Sequence, residues 1–213
     1  MGRTSDARTR LLQTAIALMH ARGALAVSVQ EICTHASIKK GSFYHFFPSK
    51  QALILAVIEA YGARVRTVWQ EALSTNGSLD ERLQRAFVRA CEVCMPASAR
   101  AEQWYGCPLG NLALELSSHD DVIRQKLQET FAGWVQVIEC TLRQAVARGE
   151  LPPLDTRATA QSLLAYFEGV MLLAKTHNDP AVATRLARGA LWLIHAATQP
   201  ATPLPSAERR SVW

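Results

Sequence analysis

Apolar residues recur at helical spacing from one end of this chain to the other, and no segment sustains the period-two alternation of a half-buried strand. That pattern confines the chain to an all-α fold. Leu11, Leu12, Ala15, Ile16 and Met19 form one face of a first helix, which stops at Arg22-Gly23. Ser28-Val29-Gln30-Glu31 is a capping box opening a second helix. Residues 38–47 read as a short third helix ended by Pro48, and Ser49 caps a long fourth running to about Ser74. A second capping box, Ser78-Leu79-Asp80-Glu81, opens a helix ending near Met95-Pro96, and residues 96–106 read as a connection. Pro108 opens a helix to about Ser117, and Ser118 can cap a long one that ends at Arg148-Gly149. Asp155 caps another to about Thr176, and Asp179-Pro180 begins the last, which ends near Ala197. The expected count is nine helices and no sheet.

Charge divides the chain unevenly. Residues 1–50 carry seven basic side chains against two acidic ones, and this excess accounts for the whole net charge of +5. The remaining residues balance. A small basic unit on a neutral body is the electrostatic outline of a nucleic-acid-binding head, although a solvated basic face gives the same arithmetic. The expected organisation is a head over residues 1–50, a body over 51–197, and a frayed tail over 198–213 with three prolines. The longest apolar run, Ala52 to Ile58, is too short to span a bilayer. The first helix is broken by Gln13, His20 and Arg22, which argues against a secretory signal. Five cysteines are an odd number, so free thiols in a reducing cytoplasm are expected. Cys91-x-x-Cys94 lacks the second pair that a zinc site needs, so neither a metal nor a cofactor is expected.

Within the head, two short helices flank a tight turn at His35-Ala36-Ser37, which is helix-turn-helix spacing. The second helix would lie in the major groove. Phe43, Phe46 and Phe47 have the spacing of a buried face, leaving Tyr44 and His45 free to reach a phosphate or a base edge. Gly41 is a poor helix former whose retention fits close approach to a DNA backbone. Ser28 and Ser49-Lys50 are helix starts, where free N–H groups favour anions.

The string from Ser37 through Lys39-Lys40-Gly41-Ser42-Phe43-Tyr44-His45-Phe46-Phe47-Pro48-Ser49-Lys50 resembles the DNA-binding region of the TetR family of bacterial repressors. The chain length and helix count fit that family. The resemblance implies a three-helix head, a C-terminal ligand-binding and dimerisation domain, a homodimer on a palindromic operator, and release by a ligand. Carried over by position, Ser28 and Lys50 would hold phosphates, while Lys39, Lys40, Ser42, Tyr44 and His45 would serve the groove. A bacterial, cytoplasmic protein, at the nucleoid when bound to DNA, would follow.

In the body, Gly106-Cys107-Pro108-Leu109-Gly110-Asn111, followed by Glu115, resembles a Gly-Cys segment of a TetR subgroup responsive to electrophiles, acrylate-type compounds or flavonoid-like aromatics. Pro108 at the first helical position places Cys107 at the N-cap, where unpaired N–H groups would lower a thiol pKa. The competing reading is a small buried thiol packing a tight turn between two glycines. Trp104 and Tyr105 beside it, with Trp69, Phe87, Trp134 and Phe167 on surrounding helices, are the candidate pocket residues. The neutral body points to an uncharged, aromatic or electrophilic effector. The helices over 155–176 and 180–197 carry more apolar surface than one core needs, as a dimer interface would.

Two other classes compete. A thiol enzyme centred on Cys107 would need a base, and His119 is the nearest histidine in sequence. A helical binding protein could use the basic head for acidic partners other than DNA. The expectation is a regulator and not an enzyme.

Overall fold

The computed structural model describes residues 2–94 and 103–199, the side chains of 2–5 excepted. The helix end expected at Met95-Pro96, most of the 96–106 connection and almost all of the 198–213 tail lie outside the described residues. The elements they form are all helices: α1 (Gly2–Arg22), α2 (Val29–His35), α3 (Lys40–Phe46), α4 (Lys50–Leu73), α5 (Leu79–Val93), α6 (Pro108–Leu116), α7 (Asp121–Ala147), α8 (Thr156–His177), α9 (Ala181–Leu186) and α10 (Gly189–Ala197).

The caps explain most boundaries. Both expected capping boxes form, at Ser28 with Glu31 and at Ser78 with Glu81. Ser49 and Asp155 accept the N–H groups of Ala52 and Ala158. Three starts or stops differ from expectation. The third helix begins at Lys40, not residue 38, after a turn in which Ser37 takes φ 54°. The long helix α7 is capped by Asp120, whose Oδ1 accepts from Ile123 N at 3.0 Å, in place of Ser118. The ninth helix is interrupted at Ala187-Arg188, which divides it into α9 and α10. There the Tyr166 hydroxyl donates to the Leu186 carbonyl at 2.7 Å and takes the acceptor that an unbroken helix would use internally. The nine-helix plan otherwise stands.

Helix α4 is the spine. It packs on α1 in the head and on α5 and α7 in the body, and α7 in turn packs on α8. Gly62 lets α7 close in, since a Cβ there would overlap Thr130, and Trp134 Nε1 donates to the Gly62 carbonyl at 2.9 Å. Leu11, Ala15, Ile32, Phe43 and Leu53 make the head part of the buried core, and Trp69, Phe87, Trp134, Ile138 and Phe167 the body part. Burying side chains of this size contributes roughly 1.5–3 kcal/mol each. No helix among the described residues is long and apolar enough to cross a membrane.

Candidate nucleic-acid interface and ligand cavity

The head presents a polar face built on a buried aromatic one. Phe43 and Phe47 are buried, with ring centroids 5.8 Å apart, and Phe46 is half-buried. These rings fix the roll of α3 and turn Lys39, Lys40, Ser42, Tyr44 and His45 outward, all of them exposed. Tyr44 is half exposed although its ring packs edge-on against Phe43 at 5.2 Å. Gly41 sits on the same face, and a Cβ there would meet nothing within 4 Å. Packing inside the protein therefore gives no reason for a glycine at this position.

Ser28 is the N-cap of α2, and Lys50 is the first residue of α4. Ser28 Oγ accepts from Glu31 N at 3.1 Å, and the Glu31 carboxylate accepts from Ser28 N at 2.9 Å. Those contacts with the Ser28 backbone, then Arg22 at 2.9 Å, hold the Glu31 carboxyl down at about 2. Arg22 is thereby tied to Glu31. Arg8 lies over the Phe47 ring at 5.3 Å, a cation–π contact that leaves its charge beside α3.

The Gly-Cys segment of the body has a physical reason at each position. Gly106 takes φ +74°, and its carbonyl meets His20 Nε2 of α1 at 2.8 Å. Cys107 is the N-cap of α6, its Sγ accepting from Gly110 N at 3.4 Å. Asn111 donates from Nδ2 to the Tyr105 carbonyl at 2.8 Å and accepts from Lys175 Nζ at 3.0 Å. Glu115, near the far end of α6, accepts from Ala24 N and Leu25 N, both at 2.7 Å. One short helix thus carries Cys107 at its start and grips the α1–α2 turn of the head at its end. A second tie is Gln51 Nε2 donating to Asp120 Oδ2 at 2.6 Å.

Beside α6 lies an apolar cavity of about 310 Å³, walled by α6, α8 and Phe131 of α7. Cys107, Gly110, Leu114, Glu168, Met171 and Leu172 are on its wall, with Asn111 and Lys175 near them. This volume suits a small organic molecule. Tyr105 borders a neighbouring, more polar cavity of about 480 Å³ with His20, Asn111 and Glu115. Burial pushes the His20 imidazole below its ordinary range, against a smaller opposing effect of the Gly106 carbonyl.

Of the expected pocket residues, the structure brings Cys107 to the apolar cavity and Tyr105 to its neighbour. Trp69, Phe87, Trp134 and Phe167 are packed elsewhere. Trp69 and Phe87 meet Phe167 edge-on at 5.9 and 5.5 Å, and Trp134 is committed to Gly62. Large rings on the inner faces of α4, α5, α7 and α8 are worth most as core, and they fill the space a ligand would need. Trp104 is buried, with its backbone N–H on Asn178 Oδ1 at 2.7 Å and its indole N–H unpartnered. The expected lowering of the Cys107 pKa is reversed. Burial first, then the Cys94 thiol and the Glu168 carboxylate, push this thiol well above its usual value, and the single N–H of Gly110 pulls the other way. Desolvation outweighs the helix terminus. The sequence did not single out Glu168, a lone acid in an otherwise apolar string. Burial raises its carboxyl to about 7, and the Cys107 thiol, hydrogen-bonded to it, lowers it by less.

Residues 11–57 match the model of bacterial regulatory proteins of the TetR family, and residues 81–190 match the tetracyclin repressor-like C-terminal domain. The chain belongs to the TetR family of transcriptional regulators. Among relatives of this TetR-family chain is the transcriptional regulator AcuR of Cereibacter sphaeroides, 33% identical over 83% of this chain and 80% of that one. The transcriptional repressor DhaR of a Mycobacterium species is 29% identical over 84% and 87%. A regulatory protein TetR from Rhodobacter sphaeroides superposes with a TM-score of 0.76 at 32% identity, covering 86% of this chain and 96% of that one. The reduced form of E. coli NemR shares the fold, with a TM-score of 0.73 at 24% identity over 88% and 97%. The TetR-family head is the helix-turn-helix of α2 and α3. His119, the base that a thiol enzyme would require, is exposed beyond the far end of α6. Nine helical residues, a rise of roughly 13 Å, separate it from Cys107 along that helix.

Proposed function

We propose that this TetR-family regulator is a repressor that binds a palindromic operator as a homodimer and is released by a small, uncharged, aromatic or electrophilic effector. The effector occupies the cavity beside α6 or modifies Cys107. The head spans residues 1–50 and the body 51–197. Lys39, Lys40, Ser42, Tyr44 and His45 serve the major groove, and Ser28 and Lys50 hold phosphates on either side. The observation that carries this reading is the geometry of α6, with the cavity and Cys107 at one end and the Glu115 grip on the head at the other.

Two heads must sit about 34–36 Å apart to enter successive major grooves. An effector that binds better when α6 is displaced favours a state in which Glu115 carries the α1–α2 turn out of that spacing. The dimer pairs α8 and α10 of two copies. Leu172, Leu173 and Trp192 are exposed there, Trp192 at 74%. Ser162, Ala165, Gly169 and Thr176 offer a small, exposed strip for close helix approach.

The test is a gel shift with DNA flanking the protein's own gene, repeated with candidate electrophiles and aromatics on wild type and Cys107→Ser. Release of wild type but not of the variant assigns a covalent switch. Release of both assigns reversible occupation of the cavity. DNA binding with no release by any compound that enters the cavity would contradict the reading.

A further inference from the structure

Among the described residues, Glu168 is the acid on the wall of a mostly apolar cavity that Asn111 and Lys175 also line. Its Oε1 is shielded from solvent and has no hydrogen-bond partner. A carboxyl oxygen left so is costly unless something enters to meet it. Gly110 permits its position, because a Cβ there would overlap Glu168 Oε2 and stand 3.4 Å from Cys107 Cβ. Cys107 Sγ, which accepts from the Gly110 N–H at 3.4 Å, lines the same cavity as that carboxyl. A thiol and a carboxyl on different helices therefore converge on a space of about 310 Å³.

The thiolate is the nucleophilic form of cysteine, and Cys107 rests as a thiol. Its proton must leave as carbon bonds to sulfur. The other groups around the pair offer poor acceptors. Cys94 and Cys91 approach from α5, and the Tyr61 hydroxyl of α4 is already on Cys94 Sγ at 3.4 Å. Lys175 of α8 is turned to Asn111, and His20 is engaged with the Gly106 carbonyl.

We propose that Glu168 is the proton acceptor for Cys107 when the cavity takes up an uncharged conjugated carbonyl compound, and that this carboxylate discriminates against anionic electrophiles. The inference rests on the reading of Cys107 as the effector-responsive group. Sulfur bonds to the β-carbon while the carbon–carbon π pair moves toward the carbonyl, giving an enolate. The thiol proton passes to a Glu168 oxygen and from there to the α-carbon. The product is a thioether that retains every atom of both partners, and no oxidant is consumed. A carboxylate-bearing electrophile would meet like charge at ionised Glu168, while Lys175 on the same wall turns its ammonium to Asn111 Oδ1.

The test is the rate of adduct formation by methyl vinyl ketone at Cys107, read by peptide mass from pH 5.5 to 9.5. The exposed Cys140 serves as internal reference. In wild type the Cys107 rate should rise and level off above about pH 7, where Glu168 is ionised. In Glu168→Gln the neutral rate should fall roughly 100-fold, the low end of general-base contributions, and keep rising with pH, while Cys140 is unchanged. The ratio of the acrylamide rate to the acrylate-anion rate should be larger at Cys107 than at Cys140 in wild type, and should shrink at Cys107 in Glu168→Gln. A wild-type rate at Cys107 that rises without a plateau overturns the proposal even if the variant cannot be purified. So does an unchanged rate and profile in Glu168→Gln, which leaves the Cys107 reading standing. No wild-type adduct at Cys107 at any pH, with Cys140 labelled, overturns the Cys107 reading and this proposal together.

Discussion

Glu168 shows how burial, more than sequence neighbours, sets the chemistry of a residue. Its carboxyl is near 7 in the folded protein against an ordinary 4.5, so the native state favours the protonated form. Its contribution to stability is complete below about pH 4.5 and is lost as the pH rises toward 7, by roughly 3 kcal/mol at most. Glu168→Gln should therefore be more stable than wild type at pH 8 and lose that advantage by pH 5, measured by urea denaturation at both values. Gly110→Ala should be destabilised by about 1–3 kcal/mol, because its Cβ would displace the Glu168 carboxyl, and chemical denaturation at neutral pH checks it. Gly41→Ala should leave stability unchanged or raise it by up to about 1 kcal/mol, since the site is open, while weakening DNA binding. Cys107 was visible in the sequence as an N-cap. Its partner was not, because Glu168 reads as one acid on an apolar helix until α6 is laid against α8.

Helix ends were legible where a single side chain decides them. Ser28 with Glu31, Ser78 with Glu81, Cys107 with Pro108, and Asp155 each act within four residues of chain, so their spacing is local information. The break between α9 and α10 was not legible, because it is made by Tyr166 from another helix. The same distinction separates Glu115 as a motif letter from Glu115 as a grip on the head. Glu115→Ala would leave the N–H groups of Ala24 and Leu25 without their acceptor, at a cost of roughly 1–3 kcal/mol. Beyond that loss, the variant should bind operator with little response to an effector that still enters the cavity. Parallel titrations of operator binding and of effector binding measure this separation.

The whole molecule divides its surface by charge and apolarity in the way its parts require. The basic excess within residues 1–50 includes the exposed Lys39 and Lys40 on the α3 face and Lys50 at the start of α4. The neutral body exposes Leu172, Leu173 and Trp192 on α8 and α10. Trp192→Asp with Leu173→Asp should convert the proposed dimer to monomers in sedimentation, and operator affinity should fall with it, because one head spans only half a palindrome. The most direct test of DNA recognition by this basic head is fluorescence anisotropy of the flanking DNA titrated with protein from 50 to 200 mM salt, for wild type and Lys50→Ala. Affinity in wild type should fall steeply and linearly on logarithmic axes, and the variant should bind more weakly with a slope shallower by about one per subunit. Binding that is independent of salt, or a slope untouched by loss of Lys50, would contradict recognition of DNA by this head.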